Sequence, residues 1–370
     1  MTLRVAFLGY RFMGQAHANA LARLPMFFPD APAVERAVLI GRDEAALEPA
    51  AEHLGFDDVS TDWESALDGV DVFYNLGPNH LHPEPSIAAL DRDVHVLCEK
   101  PLAPTLEGAT EMEAAATASE AQAGIGFNYR FLPAIQYAKD LLESGELGAI
   151  RQFRGRYLQD WLVDPSAPWS WRLDESLAGS GALGDLGAHT VDLARYLVGD
   201  IDAVSGTRRT FTTERPTSDG TGTRDVTVDD AMTAVIEFES GAVGTVEASR
   251  VAPGHANDQT IAIHGTAGSL RFELERPNEL HVKRPDQRGY ERVLVTEETD
   301  PYVSRWWPPG HVLGWEHAFV HENYEFLRAI DDGLAFQPDF EVGLAVQRVL
   351  DAIARSDDER EWTTVAGRKG

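Results

Sequence analysis

The sequence predicts an α/β domain with a doubly wound parallel sheet, joined to an α+β domain built on a large, mostly antiparallel sheet. Three observations carry that prediction. Short β-rich runs alternate with helical stretches from Thr2 to about Ile125, the rhythm of parallel strands joined by right-handed crossovers. From Val226 to Lys283 alternating runs follow one another without intervening helices, as antiparallel strands do. A length of 370 residues with 43% hydrophobic content favours two cores over one, and the change of rhythm divides the chain into 1–125 and 126–370.

In the first part the strand candidates are Arg4 to Leu8, Arg36 to Ile40, Val70 to Asn75, Val94 to Cys98 and Gly124 to Phe127. Helices are expected between them at Gln15 to Leu24, Glu44 to Leu54, Pro83 to Leu90 and Leu106 to Ser119, several closed by punctuation such as Pro25, Gly55 and Asp91. After Tyr129 come a helix from Pro133 to Ser144, a strand from Ile150 to Leu158 and a helix from Leu183 to Leu197. Alternating runs then mark strands at Val226 to Phe238, Ala242 to Arg250, Thr260 to His264, Ser269 to Leu274 and Leu280 to Lys283. Two helices, Trp315 to Ile330 and Phe340 to Ala354, complete the chain, and the Gly- and Thr-rich segment Thr212 to Arg224 reads as a mobile loop. The second face of the antiparallel sheet carries apolar alternation that a monomer would expose, which points to a homodimer or homotetramer.

Composition excludes several partners. A formal charge of -28 repels nucleic acid and anionic membrane, and no apolar run approaches a membrane span. The N-terminus runs straight into a strand with no signal segment, so a cytoplasmic protein is expected. Lysine stands at four positions only, Lys100, Lys139, Lys283 and Lys369, against 60 Asp plus Glu. Such a surface suits a salt-rich, halophilic and specifically haloarchaeal cytoplasm; an acidic mesophilic protein is the alternative. The single Cys98 excludes an internal disulfide and reads as a small core residue.

The first strand feeds into Gly9-Tyr10-Arg11-Phe12-Met13-Gly14 and an Ala-rich helix, a dinucleotide-binding opening whose helix start offers free amides to a pyrophosphate. Arg11 stands where the middle glycine usually lies, so the loop taken alone also fits an ordinary strand-to-helix turn. After the second strand, Gly41-Arg42 leaves room for a ribose phosphate and supplies a guanidinium, which favours NADP over NAD. Against this, Arg42 can pair with Asp43 or Glu44, and Asp43 can reach the ribose.

The third strand leads into Gly77-Pro78-Asn79-His80-Leu81-His82 at the carboxyl edge, where Pro78, Asn79 and His82 are expected cofactor contacts. His80 and His82 lack a third ligand nearby, and His317 with His321, though spaced as a metal pair, do not follow zinc hydrolase order; no metal is expected. Glu99-Lys100-Pro101 ends the next strand and proposes a fixed lysine; Asp185 and His189 lie four apart on one helical face. Each has a plainer alternative: a surface lysine, a helix cap and a core histidine.

In this order the motifs closely resemble the Gfo/Idh/MocA oxidoreductase family, with its Rossmann domain. The resemblance is carried by Gly9 to His17, Pro78 to His82, Cys98-Glu99-Lys100-Pro101, Gly181-Ala182-Leu183-Gly184-Asp185, His189 and Asp192, and covers nearly the whole chain. It implies that Lys100, Asp185 and His189 are catalytic, that Glu99 and Asn79 lie near the nicotinamide, and that the Lys100-Pro101 bond is cis. Met26-Phe27-Phe28, Arg156 to Trp161, and Trp171-Arg172 followed by Gly179-Ser180-Gly181 resemble the levoglucosan dehydrogenase subgroup, implying a cyclic sugar or anhydrosugar.

The expected chemistry is hydride transfer between NADP or NAD and a secondary hydroxyl of a cyclic sugar, anhydrosugar or inositol-like polyol. His189 takes the hydroxyl proton, Lys100 stabilises charge on oxygen and Asp185 orients them. Asn128, Tyr129, Arg130, Gln159, Trp161 and Arg172, with His189, are the expected substrate contacts, while Trp161, Trp169 and Trp171 equally fit core positions. A non-catalytic cofactor-binding sensor and an enzyme using a tightly bound cofactor transiently are the alternatives.

Overall fold

A computed structural model describes residues 2–365 of the chain. It divides into two compact units, Met1–Phe131 with Gly314–Ala345, and Leu132–Leu313 with Val346–Gly370.

In the first unit, β1 (Thr2–Leu8), β2 (Ala33–Ile40), β3 (Asp58–Ser60), β4 (Val72–Asn75), β5 (His95–Cys98) and β6 (Ala123–Ile125) form one sheet in the order β3-β2-β1-β4-β5-β6. Every pairing is parallel, as buried apolar strands joined by helical crossovers require. The crossovers are α1 (Phe12–Phe27), α2 (Glu44–Leu54), α3 (Pro83–Leu90) and α4 (Leu106–Ala118). Their ends follow from local chemistry. The Asp43 carboxylate accepts from Ala46 N to start α2, Gly55 at φ 74° stops it, and Thr105 Oγ1 accepts from Gly108 N to start α4. The chain winds outward in both directions from the β1–β4 boundary, so the crevice above the strand ends there is the ligand position.

The second unit begins with α5 (Pro133–Glu143), β7 (Ile150–Leu158), the short α6 (Glu175–Ala178) and α7 (Ala188–Val198), with a π-helical turn at Leu183–Gly187 leading into α7. There follow β8 (Ile201–Arg209), β9 (Glu214–Pro216), β10 (Thr223–Asp225), β11 (Ala231–Phe238), β12 (Val243–Ser249), β13 (Asp258–Gly265), β14 (Ser269–Glu273), β15 (Glu279–Lys283) and β16 (Glu291–Leu294). The chain then forms α8 (His317–Asp332) in the first unit, α9 (Phe340–Glu359), and β17 (Thr363–Thr364). Nine strands make one sheet in the order β16-β15-β14-β13-β7-β12-β11-β8-β17, antiparallel except at β7–β12. α7 lies directly on β7, where a Cβ at Gly155 would collide with Thr190 Cγ2.

Several sequence expectations change. A single boundary at 125 assigns α8 to the second domain, yet α8 packs on α1, with Phe28 and Tyr324 rings 4.5 Å apart. β8, β3 and β16 were not expected, because their alternation is interrupted by polar residues; β8 reads only half-buried along most of its length. The segment expected as a mobile loop holds an antiparallel ribbon, β9 with β10, pinned by Arg215. That arginine is wholly buried and donates to the Leu162 and Asp164 carbonyls, each at 2.7 Å. The open sheet face is also less apolar than expected: the inward set Met232, Ala234, Ile236 and Phe238 takes the hydrophobic residues. Thr233, Glu237, Thr245 and Glu247 point outward with only Val235 and Val243 among them.

Candidate active site

The turn after β1 is built for close approach. Gly9 sits at φ 114°, and a Cβ there would lie 2.7 Å from Leu76 O; a Cβ on Gly14 would meet Gly9 O. α1 therefore starts hard against the turn. Arg11 precedes it, exposed and without a side-chain cap, and no acidic side chain occupies the first turn. The amides at Phe12, Met13 and Gly14 have no intrahelical acceptors by geometry, which suits a pyrophosphate. Phe12 is 62% exposed and stacks on Trp315, ring centroids 5.4 Å apart.

At the end of β2, the space beside Gly41 is filled by a side chain of the first turn. A Cβ there would come 2.6 Å from Tyr10 Cε1. Gly41 thus admits the Tyr10 ring, where a ribose phosphate was expected. Asp43 is engaged as the α2 cap. Arg42 is exposed and makes no ion pair among the described residues, so its guanidinium remains open to a phosphate.

The turns after β4 and β5 are tied together from below. Asn75 Nδ2 donates to Leu81 O at 2.8 Å and to Ser86 Oγ at 3.0 Å, fixing the single helical turn Asn79–Leu81. His82 is wholly buried, with Nδ1 2.8 Å from Pro101 O and Nε2 3.1 Å from Gly77 O. Burial pushes its pKa down, so the neutral ring donates through one nitrogen. His82 is therefore a strut between the two turns, buried where a cofactor contact was expected of it, while Pro78 and Asn79 beside it are half-exposed.

The Lys100-Pro101 bond is cis. Lys100 is half-buried, and Glu99 is buried with both carboxylate oxygens engaged: Oε1 lies 3.1 Å from His17 Nε2 and Oε2 accepts from Lys100 N at 3.2 Å. Cys98 is a buried thiol whose pKa burial pushes up, an inert core residue.

In the second unit Asp185 does not cap a helix. It lies inside the π turn that runs directly into α7, the helix that carries His189. Asp229 supplies the capping: Oδ1 accepts from Gly181 N and Oδ2 from Leu183 N, both at 2.8 Å, while its backbone oxygen accepts from Ala182 N at 3.0 Å. Arg250, buried behind this turn, donates from Nη2 to the same Asp229 carbonyl at 3.0 Å. Burial lowers the Arg250 pKa, opposed by the charges of Asp185, Asp229 and Asp230.

His189 is 7% exposed, its ring 5.9 Å from that of Tyr157. Asn257 Oδ1 accepts from Tyr157 Oη at 2.7 Å and from Gln159 Nε2 at 2.8 Å, so one amide orients both neighbours. Trp161 is 42% exposed, and Arg172 is exposed and stacked on Trp171 at 4.6 Å. Trp169 instead packs on the small core of Leu162, Leu173, Val226 and Val228. Asn128, Tyr129 and Arg130 belong to the first unit and are buried; Tyr129 Oη accepts from Trp315 Nε1 at 3.2 Å. The histidine pair on α8 serves backbone. His321 Nδ1 donates to Phe131 O at 2.9 Å, burial lowering its pKa to about 3, and His317 Nδ1 accepts from Gly314 N at 3.0 Å. Among the described residues no group of three His, Cys, Asp or Glu is placed to hold a metal, and no helix is long and apolar enough to cross a membrane.

Residues 3–127 match the family model described as an oxidoreductase family with an NAD-binding Rossmann fold, and residues 135–271 match the GFO/IDH/MocA C-terminal domain. The chain belongs to the Gfo/Idh/MocA oxidoreductase family. Among its relatives in that family, a levoglucosan dehydrogenase of Pseudarthrobacter phenanthrenivorans is 41% identical over 98% of each chain. A D-xylose 1-dehydrogenase (NADP(+)) of Haloferax volcanii is 31% identical over 87% of this chain and 89% of its own. A solved levoglucosan dehydrogenase in complex with NADH and levoglucosan superposes with a TM-score of 0.95 at 41% identity, covering 99% of this chain and 100% of that one. The 41% relative is bacterial, so the comparison lends no support to a haloarchaeal source; only the acidic composition speaks for high salt.

The residues that sequence reasoning passed over are the supports: His17, Asn323, Asp229, Arg250 and Asn257. Two carried a signal. His17 falls in the family's opening motif, and the Asp229-Asp230 pair interrupts an otherwise apolar strand run.

Proposed function

We propose that this family member oxidises a secondary hydroxyl of a cyclic sugar, anhydrosugar or inositol-like polyol. The observation that carries this is the end-to-end 41% identity to a levoglucosan dehydrogenase, a level at which the substrate class is the economical reading. When bound, the nicotinamide would supply the hydride acceptor for the substrate carbon. His189 accepts the hydroxyl proton at an imidazole nitrogen, and Asp185 orients it. The Lys100 ammonium stabilises negative charge developing on the substrate oxygen. Gln159, Trp161, Arg172, Asn128, Tyr129 and Arg130 offer amide, aromatic and cationic groups suited to a polyhydroxylated ring.

Gly9, Arg11, Phe12, Met13 and Gly14 hold the pyrophosphate end of the cofactor, Gly41 and Arg42 the adenosine ribose, and Pro78, Asn79, Glu99 and Lys100 the nicotinamide end. NADP is favoured by the unpaired Arg42, although the Tyr10 ring beside Gly41 narrows the same space. Arg42→Ala is expected to raise the KM for NADP about tenfold and leave that for NAD unchanged. A cytoplasmic location and a homodimer or homotetramer belong to the same reading. Light scattering at low and high salt tests the assembly.

The activity test mixes the protein with NADP or NAD and a panel of levoglucosan, xylose, glucose and inositols, following reduced nicotinamide by absorbance. Turnover with one of these is expected. Silence across the panel with cofactor binding intact would favour the sensor alternative.

A further inference from the structure

Beneath the nicotinamide end of the first unit lies a hydrogen-bonded chain that the proposed chemistry does not use. Asn323 on α8 donates from Nδ2 to Phe319 O at 2.7 Å, which settles the orientation of its amide, since only the nitrogen side can serve a carbonyl. The same Nδ2 lies 3.0 Å from His17 Nδ1 on α1, so that ring nitrogen is the acceptor. The proton of the neutral ring therefore sits on Nε2 and is donated to Glu99 Oε1 at 3.1 Å. Phe7, Tyr74 and Phe319 pack around the imidazole with centroids 6.4, 5.6 and 5.2 Å away. His17 and Asn323 are both wholly buried.

Glu99 is the first residue beyond β5. With the pyrophosphate at the start of α1 and the adenosine ribose at the end of β2, the other half of a dinucleotide runs across β4 toward β5. We propose, resting on the cofactor reading above, that His17 and Asn323 are positioning residues that fix the Glu99 carboxylate as a negative charge at the nicotinamide end. There it favours the cationic oxidised ring over the neutral reduced one. The site is thereby biased to bind NAD(P)+ over NAD(P)H. A neutral imidazole donor matters here, because a cationic partner would cancel the charge that does the discriminating.

The test is the ratio of dissociation constants for the oxidised and reduced cofactor, measured by calorimetry on the intact protein and on folded variants checked by circular dichroism. Glu99→Gln preserves shape and is expected to weaken oxidised relative to reduced cofactor about tenfold. His17→Leu should move the ratio the same way, while His17→Gln, which retains an N–H within reach of Glu99, should shift it less than about threefold. A role limited to stability would lower the melting temperature and leave the ratio alone. An unchanged ratio in Glu99→Gln or in folded His17→Leu overturns the proposal. If the unaltered protein binds neither cofactor form, the functional reading beneath it falls as well, and the two failures are told apart by that first titration.

Discussion

The two units support their motif residues in opposite electrostatic styles. In the first, Glu99 is held by an imidazole and a backbone amide, so its charge is oriented and left uncancelled. In the second, the turn carrying Asp185 is gripped by the Asp229 carboxylate, with the Arg250 guanidinium on the same residue's carbonyl. There the charges balance one another and fix the shape of the backbone. The difference teaches where each kind of perturbation should register: in the affinity of a charged ligand for the first unit, in folding and turnover together for the second.

Asp229→Ala gives the largest expected effect. It strips the acceptors from Gly181 N and Leu183 N and unbalances buried Arg250, for a loss of about 3 kcal/mol in urea unfolding and about 100-fold in kcat. Asp229→Asn, which retains one acceptor oxygen, should fall between. Arg250→Met should cost about 2 kcal/mol by the same assay, less than Asp229→Ala because the amide caps survive. A variant of either residue that loses turnover with full stability would break the contrast between the units.

A smaller effect is expected in acid. His321 takes a proton in the unfolded chain near the ordinary histidine value of 6.5 but not in the folded one until about 3. The unfolded state therefore binds more protons in that window, and stability falls as pH drops through it, by about 1.4 kcal/mol per pH unit for this one group. Burial lowers the pKa of His82 in the same direction. Unfolding curves at several pH values check this, and His321→Asn should flatten the slope. The smallest effect is expected at Cys98: Cys98→Ala should cost about 1 kcal/mol, leave kcat unchanged, and confirm that the native thiol resists modification.

Much of the parallel sheet was legible in the sequence, because strands buried on both faces announce themselves as apolar runs between Gly, Pro and Asp. The antiparallel sheet was legible where one face is buried, as at β11, and illegible at β8, whose residues are half-buried on both sides and show no alternation. The site followed the same logic. Lys100, Asp185 and His189 stand in local motifs, whereas Asn323 meets His17 across 306 residues and Asn257 meets Gln159 across 98, contacts that no local pattern encodes. The neighbour of Gly41 was illegible for a related reason: the ring beside it comes from Tyr10, on another strand's turn.

The most direct measurement of the central claim is steady-state turnover and cofactor affinity of His189→Asn beside the unaltered protein, using the substrate the panel identifies. A base at His189 predicts that kcat falls at least about 100-fold while the cofactor dissociation constant moves less than about threefold. Turnover at the normal rate would contradict it.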